Sequence, residues 1–465
     1  MTARNQSSGM SRRGFLASAA AGAGLALSRS VLGQAKAAKV DDVNVAMIGV
    51  GIQGSVLLSN LLKMQGIRFK AVCDIWPYRR TRAYRIMKRY KHDVQEFEDY
   101  KEMLAGVKDL DAVIIATPDW LHAEQAMACM KAGLHVYSEK EMSNTVEKAR
   151  QMVKAARQTG KLLQIGHQRR SNPRYLKALE YVQEKKALGQ VTHVDGHWNR
   201  HKKLRFTWNE RTELAKDTLT KYGYGTMDRF RNWRWYREFS GGPIADLGSH
   251  QVDVFNWFLN APPCMLVAAG GRDYYKDHEW YDNVNVMYEW EYDWGGKKCI
   301  ARGFYQVLNT TSHNQYFETL MGDEGSMIIS ENTLWGGIRR EDTVAKAPWE
   351  TSKEIKDAVA AMGKAAKKQE KKEEKKEETK PEEELVGHSE GREGRYFPIP
   401  MPPDWELPAH RWHLENFFAA VRDPKNVKLN CPGEIGFETC MSVLPVNEAL
   451  AADKKLHLKP DQFKV

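Results

Sequence analysis

"VNVAMIGVGIQGSVLLSNLLKM", residues 43–64, decides the fold. A short apolar run ends in glycines, and apolar residues at helical spacing follow at once. That pattern is a buried strand entering a tight turn and then a helix. The glycines are Gly49, Gly51 and Gly54, in GxGxxG register. The first permits the turn, the second lets a pyrophosphate approach the backbone, and the third packs helix on strand. The helix opens at Ile52 and Gln53 and offers N–H donors and a positive dipole end to phosphate. Asp74 lies twenty residues after Gly54, at the end of the next apolar run. A carboxylate there accepts from a ribose 2′-OH and repels a 2′-phosphate, so NAD is expected over NADP. Arg79 and Arg80 stand close enough to soften that preference.

The strand pattern recurs in "IRFKAVCD", "DAVIIATP", "HVYSEK" and "KLLQIGH", with helical runs between. Strand–helix alternation at this spacing predicts a doubly wound parallel sheet, an α/β Rossmann domain over residues 41–170. After about residue 190 the strands lengthen and the helices between them vanish, as in "VTHVDGHWNRH", "NVNVMYEWEY" and "KCIARGFYQV". This predicts an α+β domain over 171–465 with a large, mostly antiparallel open sheet. Such a sheet seldom leaves an apolar face uncovered, so a homo-oligomer, dimer or tetramer, is expected through it. Residues 364–384 hold eight Lys and eight Glu with no apolar face, a low-complexity insert. Closing helices are expected over 410–450.

The chain has 465 residues and a formal charge of +10, of which five positive charges sit in residues 1–37 with no acid among them. The remaining excess is small for this length, and no RNA-binding or zinc-finger signature accompanies it, so nucleic acid is not an expected partner. The first 37 residues read as a twin-arginine signal: "SRRGFL", a short apolar run, then "AKA". That run is too short and Ala/Gly-rich to serve as a stable membrane anchor. An exported, periplasmic location is expected. Six cysteines at 73, 129, 264, 299, 431 and 440 share no CxxC spacing and read as buried free thiols.

Two further segments carry candidate chemistry. "ATPDWLH" places Thr117 and Pro118 at a strand end and His122 at the next helix, on the edge of the sheet that faces ligand. "SGGPIADLGSHQVDVFNWFL", residues 240–259, begins Gly-rich and continues as a helix. Asp246, His250 and Asp253 fall at i, i+4 and i+7, on one stripe beside an apolar one. A metal site is not read here, because a third ligand of suitable type is not evident. His197 and His201 in "HWNRH" would share a strand face about 13 Å apart, too far to hold one ion.

Taken in order, GxGxxG, the strand-end Asp74, "ATPDWLH", Glu139–Lys140 and "GGPIADLGSHQVD" resemble the glucose–fructose oxidoreductase / inositol dehydrogenase (Gfo/Idh/MocA) family. The resemblance covers about residues 43–330 and the closing helices. It implies an NAD(H)-dependent oxidoreductase acting on a sugar, glycoside or cyclitol hydroxyl. A redox-neutral glycosidase or epimerase is the alternative, and a nucleotide-binding sensor a third. By the same resemblance Lys140, beside the nicotinamide and the reacting hydroxyl, completes a proton-transfer set with Asp246 and His250. Glu139 is expected on the nicotinamide side. Glu141 stands where the family usually has Pro. In "QIGHQRRSNPRY" Gln168 is expected at the cofactor and Arg169 and Tyr175 at the substrate. Trp233 and Trp235 of "RNWRWYREF" are candidates for stacking on sugar rings.

Overall fold

β1 (Val43–Ile48), β2 (Ile67–Cys73), β3 (Gln95–Phe97), β4 (Ala112–Ile115), β5 (His135–Ser138) and β6 (Leu163–Ile165) form one sheet. Its order is β3-β2-β1-β4-β5-β6, every pair parallel. β4 is buried at all four residues, as a strand covered on both faces should be. The order reverses beside β1, and the crevice for a ligand opens there, past the strands' C-terminal ends. β3 was not expected from the sequence: three residues, Gln-Glu-Phe, with none fully buried, carry no apolar run.

The computed structural model describes residues 41–201, 205–333, 335–362, 394–401 and 407–465. The leader 1–37 and the insert 364–384 lie outside the described residues. Among those described, no helix is long and apolar enough to cross a membrane.

Among the described residues the second sheet has nine strands. They are β7 (Val191–Asn199), β8 (Pro263–Gly271), β9 (Asn283–Trp294), β10 (Lys297–Leu308), β11 (Tyr316–Gly322), β12 (Gly325–Ile329), β13 (Gly336–Arg340), β14 (Arg395–Phe397) and β15 (Leu456–His457). The order is β14-β13-β12-β11-β7-β10-β9-β8-β15. Among the described residues only β7 and β10 pair in parallel within it. β9 and β10 alternate buried and open along their length, the mark of a sheet covered on one face. The covering element is the helix Ser249–Leu259. Asn256 accepts from the Trp290 indole at 2.9 Å, and the Phe255 ring meets Trp290 edge-on. A Cβ at Gly196 would come within 2.8 Å of Phe255, so the bare glycine lets helix and sheet close up.

The helix Ala409–Arg422 returns to the first sheet, although its sequence position falls within 171–465. Leu414, Phe417 and Phe418 join the core that holds Val45, Met47, Phe69 and Ile114. The Rossmann domain is therefore completed by the far end of the chain. All six cysteines are free, and five are buried.

Candidate active site

A cavity of about 840 Å³ opens where β1, β2, β4 and β5 end, and both domains line it. Gly49 has φ of 85°, and a Cβ there would meet the Ala116–Thr117 backbone at 2.8 Å. At Gly54 a Cβ would lie 2.2 Å from the Gly49 carbonyl. Gly51 has no atom within 4 Å of its missing side chain, so a ligand can approach the backbone there. The helix Ile52–Leu61 begins with no side-chain cap, which leaves its first N–H groups for phosphate. Ile52 is an exposed apolar side chain on the cavity wall. A dinucleotide fits this cradle: tight turn, open glycine, uncapped helix end.

Asp74 lines the cavity, but both its oxygens already accept backbone N–H groups, from Val50 at 2.9 Å and Trp76 at 2.8 Å. Burial raises its pKa, and these two bonds and Arg80 oppose the rise. Each oxygen keeps a lone pair for a ribose hydroxyl. Thr117 and Pro118 line the cavity, with the Thr117 hydroxyl donating to Gln125 at 2.7 Å. Gln53 ties the floor together, donating to Glu139 at 3.0 Å and reaching His410 at 2.9 Å.

Lys140 donates to the Asp246 backbone carbonyl and lies 3.5 Å from Asp246 Oδ1. The Lys140–Glu141 peptide is cis. Asp246 sits in a wide turn, Ile244–Gly248, that runs into the helix Ser249–Leu259. Turns of this type cluster at functional sites. Arg234 Nε lies 3.2 Å and Arg200 Nη2 3.7 Å from the same carboxylate. Burial alone would raise Asp246, but Arg234, Lys140 and Arg200 outweigh it and hold the carboxyl well below its ordinary range. Asp246 is therefore a fixed anion that positions Lys140.

His250 lies one turn on, lining the cavity, and its Nδ1 is buried without a protein partner. Burial, with Lys140 and Arg169 nearby, pushes its pKa well below the usual value, so the ring is neutral. Asp119, at the start of the helix Asp119–Lys131, lines the same cavity. Burial and the Asp246 charge raise it to about 7, against Arg234 and Lys140, and its Oδ2 has no partner.

Several expected contacts fall elsewhere. His122 does not face the cavity. It is buried beneath it, its ring nitrogens 2.7 Å from the Glu141 and Thr117 carbonyls, and burial lowers its pKa to about 4. It braces the two loops that carry Thr117 and Lys140. Arg169 and Tyr175 likewise do not line the cavity. Arg169 is 1% exposed and pairs with Glu318 and, at 3.2 Å, Glu331. The Tyr175 hydroxyl donates to Glu318 at 2.8 Å. Together they pin the loop after β6 onto β11. Gln168 does reach the cavity, donating to Glu331 at 3.1 Å. Trp233 lines the cavity with Arg234 over its ring at 4.2 Å, whereas Trp235 is buried and stacked on His278. The proposed stripe splits at Asp253, whose oxygens accept from Arg170 Nε at 2.9 Å and Thr439 at 2.8 Å, away from the cavity. His167, Asp253 and Cys431 bring potential ligand atoms within 4.8 Å of one another, but Arg170 already neutralises the carboxylate.

Sequence reasoning missed Asp119, Arg200, Arg234, Glu331 and His410. Asp119, Arg200 and Arg234 lie inside the segments that drew attention; Glu331 and His410 reach the site only through tertiary packing.

The model of the Gfo/Idh/MocA oxidoreductase family, NAD-binding Rossmann fold, matches residues 43–167, and the Gfo/Idh/MocA C-terminal domain matches 175–327. A Bacillus subtilis scyllo-inositol 2-dehydrogenase (NADP(+)) is 30% identical over 41% of this chain and 51% of its own length. A Shewanella amazonensis glycosyl hydrolase family 109 protein is 28% identical over 58% of this chain and 63% of its own. The chain thus spans about half to two thirds of the length of these relatives. Among solved structures, a levoglucosan dehydrogenase in complex with NADH and levoglucosan superposes with a TM-score of 0.62, at 17% identity, covering 90% of this chain and 99% of that one. The WlbA dehydrogenase of Bordetella pertussis, in complex with NADH and UDP-GlcNAcA, gives 0.62 at 17% identity, covering 90% and 98%.

Proposed function

We propose, from the premise that this chain belongs to the Gfo/Idh/MocA oxidoreductase family, that it oxidises or reduces a carbinol carbon of a sugar, glycoside or cyclitol. The observation that carries the reading is the pairing of Lys140 with a neutral His250 whose Nδ1 is unpartnered, both on one cavity beside the glycine cradle. Bound NAD supplies the hydride acceptor. The chain supplies the proton chemistry. His250 takes the hydroxyl proton as the alkoxide develops. The Lys140 ammonium, held by Asp246, orients that oxygen and stabilises its charge. In the reverse direction the protonated His250 returns its proton to that oxygen, and Lys140 stabilises the same developing alkoxide. The test is incubation with a panel of sugars, glycosides and cyclitols while following the reduced-nicotinamide absorbance. Absence of any change with every class, in both directions, overturns the reading.

A redox-neutral variant draws support from the glycosyl hydrolase family 109 relative. It predicts release of an aglycone with no net absorbance change, so the same panel read by product analysis separates the two. The proposal includes export, from the twin-arginine motif Ser11–Leu16. Recovery of the protein only from the cytoplasmic fraction of its host would remove export. It also includes self-association through the nine-stranded sheet, whose open face carries Val267, Met287 and Ile300. A monomer by light scattering would remove that part.

A further inference from the structure

Residues 205–239 belong in sequence to the second domain, between β7 and the catalytic helix, yet they roof the nucleotide crevice. The segment is rooted by Arg205, which pairs with Asp277 at 2.8 Å and Asp228 at 2.7 Å. It closes on itself where Asn232 accepts the Phe206 N–H at 2.6 Å and donates to the Phe206 carbonyl at 3.2 Å. It then docks on the Rossmann domain at three points. The Trp76 indole donates to the Thr212 carbonyl at 2.5 Å, and Phe230 meets the Trp76 ring edge-on at 5.7 Å. Lys221 and Tyr222 both reach Glu98, at 3.2 and 3.1 Å. Trp120 packs between Tyr224 and Phe239, with ring centroids 5.8 and 5.3 Å away. Trp76 is 5% exposed and Tyr224 2%, so these are closed contacts.

Their place matters. Trp76 and Glu98 lie just past β2 and β3, Trp120 lies in the first turn of the helix that follows β4, and all three line the cavity with Asp74. Phe206, Tyr222, Gly223, Tyr224, Phe230 and Arg231 all line the same cavity as Asp74 and Gly51. Asp74 marks the ribose next to the adenine. The adenosine end of a nucleotide seated on the glycine cradle would thus meet side chains from the other domain.

We propose that residues 205–239 form the outer wall of the dinucleotide site and hold NAD(H) as a resident group that stays bound through purification and turnover. The inference rests on reading the crevice as a nucleotide site; it does not depend on which hydroxyl compound reacts. Its chemistry is enclosure: aromatic faces for the adenine, and a strap whose release limits dissociation.

The test uses the full chain purified without added nucleotide. The protein is desalted and denatured, and released NAD(H) is quantified by chromatography. Release from the intact protein is timed by chasing with excess etheno-NAD and reading its fluorescence. The expected result is close to one nucleotide per chain and a release half-time on the order of an hour or longer, within the range of tight complexes. Trp76→Ala, which removes one hydrogen bond and one ring contact, should speed release roughly tenfold. Because that ring is buried, the double variant Lys221→Ala, Tyr222→Phe serves as a milder probe. It leaves the aromatic core intact and should speed release about threefold. A folded, nucleotide-free protein that exchanges NAD within seconds overturns the proposal, as do equal release rates in the wild type and both variants. Retained nucleotide with no reaction on any sugar would sink the proposed activity and leave this inference standing; sugar oxidation that needs added NAD would do the reverse.

Discussion

His250 and His413 are both enclosed, 8% and 0% exposed, and both are held neutral. Burial lowers His413 to about 3 and puts His250 well below its usual value. They differ in their bonds. His413 Nε2–H donates to the Ile165 carbonyl at 2.8 Å, and its Nδ1 accepts from the Ser171 hydroxyl at 2.6 Å. His250 has a buried Nδ1 with no protein partner, on a cavity wall. Depressed basicity therefore does not mark function in this molecule, since His122 and His167 share it. What separates His250 from His413 is that the fold has used both ring nitrogens of His413; His167 also keeps a buried Nε2 without a partner, but it does not line the cavity. His413 is a fastener between the closing helix and β6; His250 lines the cavity and keeps a ring nitrogen that no protein group has taken.

The largest expected effect tests the open side. His250→Ala and Lys140→Ala should each lower turnover by roughly 10²–10⁴-fold, the worth of a placed acid–base group. Thermal midpoints and bound nucleotide should change little, as neither side chain anchors the core. Wild-type turnover in both variants would erase the distinction between open and fastened groups.

His413→Ala tests the fastened side. Two buried hydrogen bonds and a packed ring are lost, so unfolding should become easier by about 2–4 kcal/mol at pH 7.5, measured by denaturant titration. The folded fraction should keep its turnover. The cost should shrink in acid. The unfolded ring takes up a proton near pH 6.5 and the folded one only near 3, so the wild-type contribution is lost as pH falls below 6.5. A gap that stays constant from pH 7.5 to 5 would show that His413 does not stay neutral in the fold.

Glu141 stands between the two classes. Its Oε1 accepts the Met142 N–H at 2.7 Å, and its Oε2 is buried with no partner. Burial raises it to about 8, against an ordinary value near 4.5. The folded carboxyl thus keeps its proton where the unfolded one has lost it, and its linkage makes stability fall as pH rises from about 4.5 to 8. Glu141→Gln copies the protonated form. Relative to wild type it should gain on the order of 2 kcal/mol between pH 5 and 8. A pH-independent difference between the two proteins would mean the carboxyl is ionised throughout.

The same distinction explains what could be seen in the sequence. β1, the glycine turn and its helix were legible because their spacing is local: an apolar run, GxGxxG, then a 3.6-residue period. β3, β13 and β14 were not, since strands of three to five residues with Gly or polar side chains have no period to read. The segments carrying Lys140, Asp246 and His250 stood out, the three together through the family resemblance. Arg169, Tyr175 and Trp235 looked like ligand contacts because nothing nearby in sequence satisfies them. Their partners, Glu318, Glu331 and His278, come from strands and loops more than forty positions away. A charged or aromatic side chain shows its type in the sequence, whereas whether its bonds are already made is a property of the tertiary fold. For the same reason the roof at 205–239 could not be foreseen: it is held by Trp76, Glu98 and Trp120, all in the other domain.

Asp74 gives the smallest expected effect and the finest test, because it belongs to both classes at once. Each of its oxygens holds one backbone N–H, from Val50 or Trp76, yet it borders the cavity. A carboxylate has about four acceptor sites, so two remain for the ribose hydroxyls. Asp74→Asn keeps one acceptor oxygen for a backbone N–H and presents an amide to the other. It also removes the charge that repels a 2′-phosphate. NAD binding should weaken by about five- to tenfold, and the preference for NAD over NADP should shrink by at least as much. Both constants can be measured by titrating protein from which nucleotide has been stripped. If NAD weakens while the NAD/NADP ratio holds, Asp74 acts only by shaping the Val50–Trp76 loop. It would then rank with His413 as a fastener, and Arg79, which also lines the cavity, would become the residue to change next in the search for ribose discrimination.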